Sequence, residues 1–357
     1  MAVLSEEQTM LRDTAREWTG NESPVAAWRK VRDAGEARGY DAAVHGEMAQ
    51  MGWTGIIIPE AHGGSDFGWL SLGLVLEELG KTVTASPLAA SAVGASALLL
   101  GGSDTQKAAW LPAIASGETV ATLAVDEGPR HDPTRIATKV EDGLLSGSKQ
   151  FVAEGDSAGL FVVAAQDGVY LVAGDAEGVT RSTRRLADAR SHAEIRFERA
   201  PAEKLADGGD ALLDQLLDRA AVLAAAEMLG LAGQAFTTTL DYLKQRVQFG
   251  QVLATFQALQ HRMANLFADI EIMRSAVEAG LSAIDAGGDT RAAASLAKAK
   301  ANEVGNLISR EMIQLHGGIG MTDEYDAGFY LKRMRVLEQM YGNAAYHRER
   351  SARLAGY

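Results

Sequence analysis

The sequence of 357 residues predicts an α+β protein with an N-terminal α-helical domain, a middle antiparallel β-domain and a C-terminal four-helix bundle. Three observations support this fold class. Apolar residues recur with helical spacing in the first third, alternate with strand spacing in the middle, and return to helical spacing afterwards. These changes of period place the three domains at residues 1–118, 119–203 and 204–357.

The N-terminal domain carries helix-start signals and one irregular loop. Ser5 with Gln8 has the spacing of a capping box, in which each side chain bonds the other residue's backbone N–H. Trp69–Lys81 is a compact apolar segment and predicts a buried helix. Gly52–Glu60 interrupts the helical pattern with a tight apolar turn.

The middle domain consists of short β-rich runs separated by turn signals. Asp142-Gly143 and Asp167-Gly168 are typical hairpin connections. The runs themselves read ATLAV, IATKV, GLLSG, GLFVVAA, GVYLVAG and EIRFE. Short strands without intervening helices predict an antiparallel sheet or a small barrel.

The C-terminal region is predicted to be helical from about Gly208 onward. Its clearest apolar stripe alternates spacings of three and four, as a bundle helix requires. The stripe consists of Met263, Leu266, Ile270, Met273, Val277, Leu281 and Ile284. Long helices with short connections favour a four-helix bundle.

Composition excludes several classes of function. A formal net charge of −13 argues against a nucleic-acid binder and against binding to an anionic membrane. The absence of cysteine excludes disulfides, thiolate metal sites and a cysteine nucleophile, and no metal site is predicted. We expect no signal peptide and no membrane-spanning segment, and therefore a cytoplasmic protein.

Two runs in the last third have the composition of a nucleotide-binding site. The first is RVQFGQVLATFQALQH, where Arg246 suits a phosphate and Gln257, eleven residues on, suits a base edge. The second is QLHGGIGMTDEY, where Gly317 and Gly318 follow Gln314. Glycines at this place let a backbone lie close to a ligand. The alternative interpretation is a solvated cation at one helix end and a simple helix break at the other.

Together and in this order, the two runs resemble those of the acyl-CoA dehydrogenase family of flavoenzymes. IIIPEAHGGSDFG at Ile56–Gly68 and EELGK at Glu77–Lys81 extend the resemblance towards the N-terminus. It covers essentially the whole chain and implies the acyl-CoA dehydrogenase-like fold. It also implies FAD as cofactor, an acyl-CoA thioester as substrate, and a homo- or hetero-tetramer of related chains.

The resemblance implies a set of FAD contacts. In the family, one subunit grips the adenine and pyrophosphate, while the neighbour's β-domain holds the flavin ring. The matching residues for the first part are Arg246, Gln248, Phe249, Gln257, Gln314, Gly317 and Gly318, and Phe151 matches the second. Asn343 is a further expected cofactor contact.

The β-domain departs from the family pattern. In AVDEGPRHDPTR, Asp126 stands where the family has a hydroxyl, and His131 lies in place of a small-residue element. Phe151 keeps the aromatic that packs on flavin, but Ala153 replaces another hydroxyl. The chain's own half of the flavin site is therefore eroded. His131 suggests a general base, but an isolated loop histidine is more often a solvated surface residue.

The expected catalytic base is also missing. The family takes a proton from the carbon beside the thioester carbonyl, which needs a carboxylate with a raised pKa. Tyr341 occupies the usual glutamate slot, and the alternative slot falls near Ala220, with Asp218 close by. Glu227 and Glu338 lie at other phases of their helices.

Three hypotheses remain open. The chain is a subunit of a heteromeric acyl-CoA dehydrogenase, of the kind that pairs a base-bearing chain with a base-free one for steroid or other bulky CoA substrates. Alternatively, it is a homo-oligomeric flavoenzyme with a displaced base such as Asp218, or one that catalyses a different reaction. The third hypothesis is a non-enzymatic paralogue, which would not need Arg246, Gln257 and Gln314.

Overall fold

A computed structural model describes residues 3–206 and 210–357, so the expected helical start at Gly208 lies outside the described residues. The predicted order of helical, β and helical segments is confirmed. The chain divides into two compact units, one formed by Met1–Ala27, Gly73–Thr84 and Ala221–Tyr357, the other by Trp28–Leu72 and Ala85–Ala220.

The first helices begin and end near the predicted signals. Ser5 Oγ accepts from the Gln8 N–H and Gln8 Oε1 accepts from the Ser5 N–H, both at 3.1 Å, which confirms the capping box. The helices are α1 (Glu6–Glu22), α2 (Val25–Ala34), α3 (Ala42–Gln50), α4 (Trp69–Lys81), α5 (Leu88–Gly101) and α6 (Asp104–Ala115).

The β-region forms two four-stranded sheets, with orders β1-β4-β5-β8 and β2-β3-β7-β6. The strands are β1 (Ala121–Ala124), β2 (Lys139–Glu141), β3 (Leu144–Ala153), β4 (Leu160–Ala165), β5 (Gly168–Ala173), β6 (Val179–Thr183), β7 (His192–Pro201) and β8 (Glu203–Lys204). The pairing is antiparallel as predicted, except that β1 and β4 are parallel. The chain places β2 and β3 in the other sheet before it returns, so β1 and β4 need not form a hairpin.

The C-terminal region is helical, as predicted, and includes one short hairpin. Within the described residues five helices, rather than the four of a simple bundle, follow the sheets. They are α7 (Asp210–Gln245), α8 (Gln257–Asp285), α9 (Arg291–His316), α10 (Ala327–Gln339) and α11 (Ala344–Leu354), with β9 (Val247–Gln248) and β10 (Gln251–Val252) after α7. Every residue of the predicted α8 stripe is buried.

Helix α7 passes through the interior. By length and composition, Ala211–Gln245 is apolar enough to cross a membrane, but 78% of its apolar window is buried inside the fold. Its hydrophobicity is therefore accounted for by packing against the protein's own side chains and backbone.

Helices α4 and α7 cross at glycines. A Cβ placed on Gly230 would lie 1.9 Å from the Glu77 carbonyl oxygen, and one on Gly80 would lie 2.4 Å from the Glu227 carbonyl oxygen. Both obstacles are backbone atoms, which cannot move aside as a side-chain end can. The two backbones therefore touch directly at this crossing.

A strained turn joins α10 to α11. Tyr341 has φ +55° and Gly342 has φ +101°, so a non-glycine residue adopts the left-handed conformation. Such a conformation costs roughly 1–2 kcal/mol for an L-residue with a Cβ. His347 Nε2 donates to the Tyr341 carbonyl oxygen at 2.9 Å. The turn is held by contacts from neighbouring helices and not by its own preference.

Lys298 of α9 provides further contacts to this turn. Its ammonium group is fully buried and donates to Asn302 Oδ1 (2.8 Å), the Leu337 carbonyl (2.9 Å) and the Gly342 carbonyl (3.1 Å). Burial lowers the pKa of Lys298 to about 7. The side chain therefore satisfies carbonyls at the end of α10 and within the turn, at the cost of removing a cation from water.

The glycine crossing generates a prediction with an internal control. Gly230→Ala should lower the free energy of unfolding by about 1–3 kcal/mol, because its methyl group would overlap the Glu77 carbonyl. Gly233→Ala lies on the same helix with no atom within 4 Å of the added Cβ. It should be neutral or stabilising by about 0.5–1 kcal/mol. Chemical denaturation of both variants measures the difference, and equal effects would contradict a direct α4–α7 contact.

The buried lysine predicts a pH dependence of stability. An unfolded lysine has a pKa near 10.4, whereas burial lowers that of folded Lys298 to about 7. Between these values the unfolded state binds more protons, so this contribution makes the free energy of unfolding rise with pH. The melting temperature of the wild type relative to Lys298→Met should therefore increase from about pH 7 to about pH 9.5. Lys300→Met, on the same helix and 22% exposed, is the control for the loss of a lysine from α9. If the difference in melting temperature between the wild type and Lys298→Met does not change with pH, the lowered pKa of Lys298 is refuted.

Candidate functional site

A short hairpin follows α7 and carries the first predicted motif. Arg246 comes directly after the helix, and Gln248 pairs with Gln251 across the two strands. Phe249 and Gly250 form the tip with φ +56° and +82°. Phe249 is 88% exposed, so an aromatic side chain is held in a strained conformation on the surface. This arrangement is typical of a segment whose partner is another molecule.

The backbone of Arg246 is fixed while its side chain is open. Its N–H donates to the Tyr242 carbonyl at 2.9 Å, and its carbonyl accepts from the Leu253 N–H at 2.8 Å. Across residues 3–206 and 210–357, no hydrogen bond or ion pair engages the guanidinium group. An exposed, unshared guanidinium on a fixed backbone suits an anionic ligand.

The second predicted motif ends α9. Gln314 is exposed in the last turn, and the helix stops at Gly317, which has φ +65°. No atom lies within 4 Å of a Cβ built on Gly317 or Gly318, so their backbone is open to a ligand. Gly320 is different, since its Cβ would lie 3.0 Å from the Ile313 carbonyl. The first two glycines leave surface space, and the third serves packing.

The structure brings the two motifs together. The Tyr242 hydroxyl, one turn before Arg246, donates to the His316 carbonyl at 3.3 Å. His316 directly precedes Gly317. Gln257 is exposed at the start of α8 and follows Phe256, whose ring meets that of Phe249 edge-on at 6.3 Å. Arg246, Gln257 and the glycines thus belong to neighbouring segments of one compact unit.

Asn343 has a structural use that the sequence analysis missed. Its Oδ1 accepts from the Tyr346 N–H at 3.0 Å and caps the N-terminus of α11. This bond occupies one amide oxygen, and the cofactor role of Asn343 stays a prediction. Tyr341, two residues earlier, is half-buried in the strained turn.

In the β-domain, Phe151 lies at an irregularity of β3. Its pairing with β7 shifts register between Lys149 and Val152, and Phe151 has φ +52° with 41% of its surface exposed. The Ala153 carbonyl accepts from the Thr122 hydroxyl at 2.7 Å, and its methyl side chain carries no hydroxyl. The aromatic is available to a ligand, whereas a side-chain donor at position 153 is lacking.

His131 is not the solvated loop histidine that the sequence suggested. Its side chain is only 4% exposed, and Nδ1 lies 3.0 Å from Asp126 Oδ1. The same carboxylate oxygen accepts from the Asp132 N–H at 3.3 Å. The interpretation was wrong because the loop folds back onto Asp126, and a five-residue separation in a loop carries no periodic signal.

The acidic residues considered as displaced bases have different surroundings. Both oxygens of Glu227 bind the Arg333 guanidinium, at 2.7 and 2.8 Å. Glu338 binds Arg335 at 2.7 Å and also accepts from an asparagine amide. Asp218 is 1% exposed in the other compact unit. Among the described residues, no group of three or more acidic or histidine side chains is arranged to hold a metal ion.

The donor set at the hairpin and the α9 end fits one end of a dinucleotide. A guanidinium group suits a pyrophosphate, an open glycine backbone allows close approach, and the exposed amides of Gln257 and Gln314 suit an adenine edge. The β-domain loop fits less well, because the Asp126 carboxylate is already engaged and Ala153 has no hydroxyl.

Comparison with known proteins agrees with this geometry. Residues 5–118 match the family model for the acyl-CoA dehydrogenase N-terminal domain, and residues 207–355 match that for the C-terminal domain. The acyl-CoA dehydrogenase IpdE2 of Mycolicibacterium smegmatis is 30% identical over 347 residues, covering 95% of this chain and 96% of the relative.

Solved structures show the same fold. A variant of the Tcur3481-Tcur3483 steroid ACAD matches with a TM-score of 0.91 and 31% identity, covering 98% of each chain. The ChsE4-ChsE5 complex from Mycobacterium tuberculosis matches with a TM-score of 0.92 over the whole of both chains, at 23% identity. This chain belongs to the acyl-CoA dehydrogenase family of FAD-dependent oxidoreductases.

Proposed function

We propose that this chain is a subunit of a heteromeric acyl-CoA dehydrogenase that completes the flavin site of a base-bearing partner. The reaction would be α,β-dehydrogenation of an acyl-CoA thioester. The observation that carries the proposal is an asymmetry within the chain. The surface of Arg246, Gly317 and Gly318 is open and suited to a dinucleotide, whereas the usual base position holds Tyr341.

The residues of this chain would bind and orient the cofactor without taking part in bond breaking. Arg246 would neutralise the pyrophosphate, and the Gly317 and Gly318 backbone would lie against it. Gln257 and Gln314 would hydrogen-bond the adenine. Bound FAD supplies the acceptor for the hydride that leaves the substrate. Gln248 and Phe249 would line the same surface from the hairpin.

Tyr341 cannot replace a carboxylate base. A tyrosine has a pKa near 10, so its phenolate is scarce at neutral pH. Its backbone N–H is held by the turn that Lys298 and His347 fix, and would donate to a thioester carbonyl as an oxyanion-type contact. Such a donor polarises the substrate but takes no proton.

A related second chain is the partner that fits best. Apolar side chains lie exposed beside the open surface, with Phe249 at 88% and Met321 at 77%, and a neighbouring subunit would cover them. Two structural relatives are themselves named as two-component assemblies, and one is described as a steroid enzyme. We therefore propose a hetero-tetramer and a bulky, steroid-type acyl-CoA.

A homo-oligomeric flavoenzyme with a displaced base is the alternative. Asp218 is the residue that supports it, because this carboxylate is 1% exposed and lies close to the alternative base slot at Ala220. Turnover by the purified chain that is lost in Asp218→Asn would favour this alternative over the heteromer.

We call the surface formed by Arg246, Gln257, Gln314, Gly317 and Gly318 the flavin clamp. It predicts a loss of bound FAD when Arg246 is substituted. Arg246→Ala should lower FAD retention in the co-expressed complex, because a charge-assisted contact worth roughly 1.5–3 kcal/mol is removed. Lys244→Ala is the matched control, since it removes another exposed cation from the same helix end. Flavin absorbance per protein measures both variants. Equal retention in Arg246→Ala and the wild type would count against the clamp.

The missing base predicts the activity of the isolated chain. The chain alone should dehydrogenate a panel of acyl-CoA thioesters at least roughly 100-fold more slowly than its complex with the partner, because a positioned base contributes at least that much. Tyr341→Glu should add no more turnover than Tyr341→Gln, since in the β-domain Asp126 is engaged by His131 and Ala153 has no hydroxyl. Dye reduction reports the rates. Robust turnover by the pure chain would refute the heteromeric proposal.

A further inference from the structure

Three aromatic rings lie between the two motifs of the flavin clamp. Tyr242 comes from α7, His316 from the last position of α9, and Tyr325 from the segment before α10. The His316 ring is 4.3 Å from that of Tyr242 and 4.7 Å from that of Tyr325, tilted by 31° and 42°. His316 is 3% exposed, and the tyrosines are half-buried.

Hydrogen bonds fix the histidine in one tautomer. Nδ1 lies 2.7 Å from the Met312 carbonyl, which only accepts, so Nδ1 carries the proton. Nε2 then accepts from the Tyr325 hydroxyl at 2.9 Å. Burial lowers the pKa of His316 and raises the pKa of Tyr325, so both groups are neutral at physiological pH. His316 is thus held by a hydrogen bond at each ring nitrogen and by a ring contact on either side.

Tyr242 connects the stack of three rings to both motifs. Its carbonyl accepts from the Arg246 N–H at 2.9 Å, and its hydroxyl donates to the His316 carbonyl at 3.3 Å. His316 is bonded covalently to Gly317. Tyr242 therefore contacts the base of the hairpin through its backbone carbonyl and the residue before the glycine turn through its side-chain hydroxyl.

We propose that Tyr242 and His316 are positioning residues that hold the Arg246 hairpin and the Gly317–Gly318 turn in one fixed arrangement. The ligand class is a pyrophosphate-containing dinucleotide, so this inference rests on the proposed function. Neither ring touches the ligand. Their effect is to place a cation and an open backbone at the correct separation for the same pyrophosphate, which removes ordering entropy from binding.

The test compares two truncations on α7. Tyr242→Leu removes the ring and the hydroxyl that reach His316, whereas Phe236→Leu removes a half-buried ring that contacts only Phe267 among the described aromatic pairs. Hydrogen exchange of the full chain, read by mass spectrometry, reports the amides of residues 246–252 and 314–321. Both segments should exchange faster in Tyr242→Leu and neither in Phe236→Leu. Tyr242→Phe keeps the ring contact with His316 but loses the hydroxyl that donates to the His316 carbonyl, so its protection should lie between those of the wild type and Tyr242→Leu.

The second arm measures FAD affinity of the complex with the partner. Tyr242→Leu should weaken FAD binding about tenfold, comparable to the loss of one good hydrogen bond. Arg246→Ala should then reduce FAD affinity by a smaller factor in the Tyr242→Leu background than in the wild type, because a misplaced guanidinium contributes little to FAD binding. Strictly additive losses would mean that Tyr242 acts only on overall stability, and would overturn the proposal.

A milder variant covers the case in which Tyr242→Leu does not fold. Tyr325→Phe removes only the hydroxyl that His316 Nε2 accepts, and should loosen residues 314–321. Unchanged exchange there would overturn the proposal. If Arg246→Ala leaves FAD affinity unaffected, the proposed function fails. The exchange measurements still decide whether the stack joins the two segments.

Discussion

The direct contact of α4 and α7 at Gly80 and Gly230 is the constraint on which the helical unit depends. Because the two backbones touch, the carboxylates that flank the glycines are carried towards the neighbouring helices. Glu77 meets Arg274 of α8 at 2.8 Å. The same α7 continues to the hairpin, so the position of the predicted flavin clamp follows from this crossing.

The crossing also explains why Glu227 is not a spare base. It lies three residues before Gly230, and both of its oxygens bind Arg333 of α10. Removing one member of such a poorly exposed pair leaves an uncompensated charge, which costs several kcal/mol, about 3–5 in measured cases. The Glu227 carboxylate therefore stabilises the packing of α7 and α10 by binding Arg333. Within the unit that contains Tyr341, Glu227 is thus already engaged by a cation.

The sequence predicted those features that depend on local spacing. The capping box at Ser5, the buried stripe of α8 and the helical–β–helical order all follow from short-range periodicity. The parallel pairing of β1 with β4 could not be predicted in this way, because it depends on which sheet contains the intervening strands β2 and β3.

The same limit applies to the site. Gln314 and its glycines were recognisable as a helix end, and the structure places them on the surface. The ammonium of Lys298 and the link from Tyr242 to His316 join residues 44 and 74 positions apart. Such contacts are decided by how helices pack, and a single sequence carries no period that reports them.

The two halves of the candidate site differ in a way that bears on assembly. In a homo-oligomer, every flavin site would combine the open surface of Arg246 with a β-domain in which Asp126 is engaged by His131 and position 153 lacks a hydroxyl. No site would then have a full set of donors. In a complex with a different chain, the open surface of Arg246 would face the partner's β-domain, which can carry the donors that this chain's β-domain lacks. The proposed unequal partner would thus give the retained Arg246, Gln257 and Gln314 of this chain a use.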